Sequence, residues 1–591
     1  MEKYNWDLTK IFKDEKEYLD TLNTIKNNIK EIINYKGKIL SNSDNLFSLL
    51  ELDSETDKLI TKVYVYSYLS YYSNTANSKY QEYKEQANDI YNSYASCTSF
   101  ITPEIQSVSL DEINKMIDSD NRLLKYRFMI LEIFRLKKHI LSEKEESLIK
   151  NISSVLNTSD EAYTALNNTD IVLSNIKDEN NNSVKLTASN YSKYIKSSNE
   201  RVRKDAFDSM ISFYKNHINT ISQLYIGSVK KDCKISEIRK YNSTLEAGLY
   251  GDNISTNLYN TLIKVTDNNL NLIKEYYDIK SRVLKRKLHM YDTYYNIASC
   301  DEKNISYEEG VELSNKALEV LGSDYIDKFN YLINNNCVDV YPKDNKRSGA
   351  YEWGCYECNP YVSLNYENNV DSVSTLIHEM GHAMHTYYSN KNQEYIYANY
   401  PIFLAEIAST VNEILLSEYM FNNTNSIDDK IYYLVEFLDK FKATVYRQVM
   451  FAEFESIIHD KCDKNEPLTK EILCDTYYKL NVKHFSPSVI VDDDIKYEWA
   501  RIPHFYNSFY VYKYATGFIS ALVIAEKLIN KEPGFKEKYI EFLSSGSSDY
   551  PLELLKKLGI DLTLESTIND GFKVFEDKVN LLKKYMDEKG V

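Results

Sequence analysis

The chain has 591 residues and a mass of 69.1 kDa, enough to bury a large core and to fold as two or more subdomains. Only 15 Gly and 9 Pro interrupt it, so few positions break helices and a mainly α protein is expected. A net charge of −16 argues against nucleic acid as a partner, and a mean hydropathy of −0.48 without an 18-residue apolar run excludes a membrane span.

The start, Met1-Glu2-Lys3-Tyr4-Asn5-Trp6-Asp7, has neither a basic n-region nor an apolar h-region, so no secretory signal is expected. Tyr18, Leu22, Ile25, Ile29 and Ile32 then recur at steps of four and three. That spacing predicts an amphipathic helix ending near Gly37. Residues 43–100 read as further helices with a tyrosine-rich face from Tyr64 to Tyr94, and such a stripe serves packing. Thr102-Pro103-Glu104 has the form of a helix start, and residues 110–165 continue helical. Ile171-Val172-Leu173 and Val184-Lys185-Leu186, separated by a polar turn from Asp178 to Ser183, predict a short hairpin. Near residue 200 the pattern turns helical again. The chain is divided there, into an N-terminal helical region (1–200) and a larger domain (201–591) that holds the motif described below.

Between Asn334 and Asn369 glycine enters a glycine-poor chain, at Gly349 and Gly354. Pro360-Tyr361-Val362-Ser363-Leu364-Asn365-Tyr366 reads as a strand, because β-branched and aromatic residues sit between turn formers. As an edge strand it could add an extended peptide to a sheet; as part of a plain hairpin it would only support the fold. The 8 Cys are scattered singly apart from Cys355-x-x-Cys358, which has no second pair beside it and is expected to be incidental. Scattered cysteines in a large chain without a signal suggest free thiols and a cytoplasmic setting.

The next stretch carries the chemistry. Thr375-Leu376-Ile377-His378-Glu379-Met380-Gly381-His382-Ala383-Met384-His385 contains His-Glu-x-x-His. With 9 His in 591 residues, chance would produce that pentapeptide in roughly one such chain per hundred. Residues four apart stand above one another on a helix, so His378 and His382 can each offer a ring nitrogen to one Zn2+ ion. Glu379, about 100° round the axis, can reach a water at the metal's open position and take its proton. Val373, Leu376, Ile377, Met380 and Met384 form the apolar stripe of a partly buried helix, which Asp371 or Ser372 can cap.

A hydrolytic zinc site needs a third protein ligand. His385 lies on the same helix but about 7.5 Å along the axis from the midpoint of the pair, hard for a zinc held there to reach. Glu406, on a second helix after Asn399-Tyr400-Pro401, is preferred, with His385 the runner-up. Glu413, two turns beyond Glu406 on the same face, can orient a ligand histidine through its second nitrogen.

His378-Glu379-Met380-Gly381-His382-Ala383-Met384-His385, followed by Ala405-Glu406-Ile407-Ala408-Ser409-Thr410-Val411-Asn412-Glu413, resembles the M3 family of zinc metallopeptidases, and within it the bacterial oligoendopeptidase F branch. Further matching segments are Tyr4-Asn5-Trp6-Asp7-Leu8, Lys346-Arg347-Ser348-Gly349-Ala350-Tyr351, Pro360 to Asn365, Arg501-Ile502-Pro503-His504-Phe505-Tyr506, and Phe509 to Gly517. The resemblance implies a two-lobed helical shell around a deep channel, with the zinc at its floor and a small β-sheet beside the motif helix. It implies cleavage of short unstructured oligopeptides inside that channel. It makes Glu406 the third ligand, supports Glu413 behind the ligands, and sets His504 and nearby tyrosines over the reacting carbonyl. Tyr506 and Tyr512 are favoured among these, with Tyr510 and Tyr514 as rivals.

The expected activity is that of a zinc-dependent endopeptidase, with Glu379 as general base on the zinc-bound water. Three alternatives stand beside it: a zinc carboxypeptidase using Arg501 for the substrate's terminal carboxylate, a non-catalytic peptide-binding protein, and a helical scaffold with a structural zinc.

Overall fold

The computed structural model describes residues 3–298 and 303–590, so Met1 and Glu2 of the start segment and Cys300 lie outside the described residues. The protein is mainly α, with three small sheets among the described residues. By contacts the chain divides into two compact units of three segments each. One comprises Met1–Lys138, Glu302–Tyr419 and Ile524–Gly559; the other comprises His139–Asp301, Met420–Val523 and Ile560–Val591. Position 200, where the sequence pattern suggested a division, falls within the second unit.

In the first unit the helix Glu15–Ile33 begins where the Asp14 carboxylate accepts the Glu17 N–H at 2.9 Å. Tyr18, Leu22, Ile25 and Ile32 are its buried positions, and Ile29 is half-buried. The helices Ser43–Ser73 and Ser78–Thr98 follow. Tyr64 and Tyr68 stack at 4.4 Å and both meet the ring of Trp353, at 5.8 and 5.7 Å. The tyrosine face therefore packs that helix onto the strand region next to the motif. The expected helix start at Thr102 is a five-residue helix, Ile101–Ile105.

Two sequence expectations need correction. The hairpin joins Ile176–Lys177 to Ser183–Val184, and Ile171-Val172-Leu173 forms no strand. Asp178 sets the position: its Oδ1 accepts the N–H groups of Asn180 and Asn182, and Asn181 takes a φ of 63°. The strands therefore adjoin the turn directly. Tyr361–Ser363, in turn, is not an edge. It is the middle strand of three, parallel to Val338–Asp339 and antiparallel to Tyr351–Trp353, in register Tyr351↔Ser363 and Trp353↔Tyr361. All three of its residues are buried, as a middle strand requires, and both its ladders are occupied, so it cannot accept a peptide.

The second unit is organised on the 39-residue helix Glu200–Ile238, capped by Asn199. Near its start Arg203 is buried and pairs with buried Asp292 at 2.8 Å, an arrangement that Arg286 completes from the other side at 2.7 Å. The same unit carries the segment from Pro503 to Tyr514, a 3-10 turn (Pro503–Tyr506) that leads into the helix Tyr512–Ile529.

Candidate metal centre

The motif lies on the helix Val370–Asn392. Asn369 caps it, with Oδ1 accepting the Ser372 N–H at 2.8 Å; Asp371 lies in the first turn, and the Ser372 hydroxyl instead accepts the Glu367 N–H at 2.9 Å. Val373, Leu376, Ile377, Met380 and Met384 are all at most 2% exposed. That buried stripe fixes the rotation of the helix about its axis, and so the direction in which His378 and His382 point.

The second helix of the pair is Ile402–Asn422. It runs past the motif helix so closely that Gly381 touches its backbone. A Cβ on Gly381 would lie 2.6 Å from Ser409 Cα and 2.9 Å from Ser409 N. Ser409 stands between Glu406 and Glu413 in sequence, so the crossing point centres both acids on the two histidines. Asn412 ties the helices further, donating from Nδ2 to Ile377 O at 3.3 Å. Replacement of Gly381 by Ala should therefore push the helices apart. A stability loss of about 1–3 kcal/mol and a fall in zinc occupancy are expected, because backbone cannot give way as a side-chain tip can. Thermal melts and metal analysis of the variant check this; a normal metal content would remove the close crossing from the account.

The donors that converge are His378 Nε2, His382 Nε2 and Glu406 Oε2. The two nitrogens are 3.2 Å apart, and each is 3.6 Å from the carboxylate oxygen. Donors at zinc bond lengths in a tetrahedral arrangement are separated by about 3.3 Å, so this triangle fits zinc. His378 Nδ1 faces away from it and meets Glu413 Oε1 at 2.5 Å. That contact holds a proton on Nδ1 and frees Nε2 as a lone-pair donor. The His382 ring, 3.6 Å away, holds the Glu406 carboxyl down to about 2, so this donor is an anion at neutral pH.

Glu379 is 8% exposed, beside the triangle. Burial raises its pKa, the Glu406 charge adds to that, and the two histidines oppose it. A carboxylate moved up from its ordinary value is a better proton acceptor. His385 is not among the converging donors. It is 1% exposed, its ring stacks on Tyr400 at 3.7 Å, and burial pushes its basicity down to about 3. It is a neutral core side chain.

One group beside the site escaped the sequence reading. Glu352, in the strand Tyr351–Trp353, is half-buried with its carboxyl turned inward, within electrostatic reach of His382 and Glu379; burial pushes that carboxyl up to about 7. The only available signal was an acid inside an otherwise aromatic strand.

His504 is half-buried in the second unit, and burial lowers its pKa. The tyrosines around it are Tyr510 and Tyr514: Tyr510 lies parallel to the imidazole at 6.3 Å, and the Tyr514 hydroxyl is 3.4 Å from His504 Nε2. Tyr506 and Tyr512, favoured from the sequence, turn inward. Tyr506 stacks on Tyr163 at 4.4 Å, and Tyr512 is fully buried with its ring 5.3 Å from that of Tyr259. The cause is the backbone at Phe509, whose φ of 58° is rare for a bulky residue and breaks any regular spacing between Tyr506 and Tyr512. Glu455 Oε1 accepts the Phe509 N–H at 3.2 Å, and Gly248 leaves room for the Phe509 ring.

Comparison with known proteins decides the family. The model of Peptidase family M3 matches residues 193–574, and that of Oligopeptidase F matches residues 104–172. The chain belongs to peptidase family M3. As a member of family M3 it is an enzyme, a metallo-oligopeptidase. It is 38% identical over 582 residues to the oligopeptidase PepF of Bacillus subtilis, covering 98% of this chain and 87% of that one. Among solved structures, a Chlamydophila abortus peptidase matches with a TM-score of 0.94 at 35% identity, over 99% of this chain and 98% of that one. The oligoendopeptidase F of Enterococcus faecium matches at 0.74 and 32% identity, over 97% and 99%. The seven described cysteines are free, and no described helix is long and apolar enough to cross a membrane.

Proposed function

We propose that this family M3 chain is a cytoplasmic zinc endopeptidase that hydrolyses internal bonds of short, unstructured oligopeptides. The observation that carries the reading is the triangle of His378, His382 and Glu406, with edges of 3.2 to 3.6 Å, and buried Glu379 beside it. His378, His382 and Glu406 hold one zinc ion. When bound, it supplies acidification of a water and polarisation of the scissile carbonyl. Glu379 accepts the proton of the attacking water and returns it to the leaving amine. Glu413 keeps the His378 ring in the donating tautomer. Residues 201–591 carry this machinery and residues 1–200 form the N-terminal helical region; the start of the Peptidase family M3 match at residue 193 supports a division there.

His504 donates to the developing oxyanion, with Tyr514 and Tyr510 beside it. The local geometry supports this choice of tyrosines; the role of His504 toward the reacting carbonyl rests on family membership. Removing an interaction made mainly in the transition state lowers kcat and kcat/KM together. His504→Ala should reduce kcat about a hundredfold, leave KM far less changed and leave zinc content normal. Loss of zinc, or a change confined to KM, would return His504 to a structural or docking role.

The partners are oligopeptides, with neither nucleic acid nor membrane. The carboxypeptidase alternative needs a free cation for the terminal carboxylate, and Arg501 instead lies over the Tyr191 ring at 4.8 Å. A peptide blocked at both ends separates the two readings. Internal cleavage, found by mass analysis of the products, is expected. Stepwise loss from an unblocked C-terminus without internal cleavage would favour the carboxypeptidase. A channel that admits only unstructured chains also predicts that a folded protein such as albumin resists cleavage while a short peptide is cut; comparable rates for both would contradict it.

A further inference from the structure

The turn between the strands Tyr351–Trp353 and Tyr361–Ser363 holds Cys355 and Cys358. The Cys358 N–H donates to Cys355 O at 3.1 Å, closing a β-turn in which Glu357 takes a φ of 64°. A β-turn keeps its first and fourth Cα atoms within about 7 Å, the range over which a disulfide can close. The two thiols are close enough to influence each other's ionisation, Cys358 raising the pKa of Cys355 and Cys355 lowering that of Cys358. A left-handed φ at a glutamate costs energy, and outside contacts hold it. Lys58, on the helix Ser43–Ser73, pairs with Glu357 at 3.5 Å. From the motif helix, Asn390 Nδ2 donates to Cys355 O at 3.2 Å, and the Tyr356 hydroxyl donates to Gln393 O, just past the end of that helix, at 2.9 Å. The turn is thus pinned with its two cysteines at its first and fourth positions.

The two thiols differ. Cys355 is 3% exposed, and its engagement with Cys358, followed by burial, raises its pKa well above the ordinary value. Cys358 is partly exposed; the neighbouring Cys355 thiol lowers its pKa, and the nearby Lys62 ammonium adds to that. One accessible sulfur inclined to the thiolate, with a second behind it, is the arrangement of an attacking and a resolving thiol.

We infer that Cys355 and Cys358 form a reactive dithiol site that low-molecular-weight disulfides such as glutathione disulfide convert to an internal disulfide. The Cys358 thiolate attacks one sulfur of glutathione disulfide, its S–S bond breaks, and one glutathione leaves and takes up a proton. Cys355 then loses its proton and attacks Cys358 Sγ. The mixed disulfide breaks, the Cys355–Cys358 bond forms and a second glutathione leaves. The dithiol gives up two electrons and two protons, and glutathione disulfide gains both. The site is independent of the proposed peptidase mechanism.

The test uses the full-length native protein incubated with glutathione disulfide, quenched with acid, alkylated and cut with trypsin. Residues 348–391 emerge as one peptide whose only cysteines are Cys355 and Cys358. In the wild type this peptide should be lighter by two hydrogens and carry no alkyl group, and dithiothreitol should reverse the change. Cys355→Ser should instead retain one glutathionyl group on Cys358, and Cys358→Ser should remain unmodified. A wild-type peptide that stays fully alkylated, or a Cys355→Ser variant with no adduct on Cys358, would overturn the inference.

Discussion

Glu379→Gln should keep its zinc and lose nearly all turnover. The substitution changes an oxygen to an amide nitrogen at nearly constant volume, in a side chain that is not one of the three converging donors. Metal affinity should therefore stay close to normal. What disappears is the only group in the motif able to take a proton from the attacking water. General-base catalysis is commonly worth 10²–10⁴ in rate, and a loss of about a thousandfold in kcat is expected here. KM for a blocked peptide should move little, because binding does not use that proton. The decisive comparison is kcat against zinc content in the same preparation. A variant with normal zinc and near-normal kcat would sink the general-base role; a variant with low zinc would show that Glu379 supports the metal site.

The second large effect is expected at Glu406, read against His385. Both were candidates for the third ligand on sequence grounds. In the structure Glu406 Oε2 stands 3.6 Å from each ligand nitrogen, whereas His385 is sealed against Tyr400. Glu406→Ala leaves two protein donors, and zinc occupancy should fall severely, with activity falling in proportion. His385→Ala should keep zinc near one equivalent. It empties a packed site, so its cost appears as a lowered melting temperature of the metal-loaded protein, with a loss of about 2–4 kcal/mol expected for a buried ring. Metal analysis of the two purified variants separates these outcomes, and the reverse order of zinc loss would hand the third position to His385.

The sequence carried those parts of the molecule that depend on short-range spacing. Tyr18, Leu22, Ile25 and Ile32 spell out a helix because burial on one face imposes the period. His378, His382 and the seven-residue step from Glu406 to Glu413 are legible for the same reason, since one helix face presents them. Contacts between distant segments were not legible. Nothing near Gly381 announces that Ser409 will lie against it, and the cap at Asn369 competes with the equally plausible Asp371 and Ser372 until Ser372 is seen bonding to Glu367. The tyrosines after His504 failed to sort themselves because Phe509 adopts a left-handed backbone that Glu455 and Gly248, remote in sequence, make tolerable. Tyr361–Ser363 was recognisable as a strand, but its place in the middle of the sheet depends on Val338–Asp339, which is too short to announce itself.

The central claim is that His378, His382 and Glu406 hold one catalytic zinc that Glu379 works beside. The most direct measurement combines metal analysis of the purified chain with the rate of internal cleavage of a doubly blocked, internally quenched oligopeptide. Both are followed through chelation and stepwise return of zinc. One zinc per chain is expected, with activity lost on chelation while the helical circular dichroism persists, and regained in proportion to the first equivalent returned. Cleavage that survives complete removal of metal, or unfolding in step with chelation, would contradict the account.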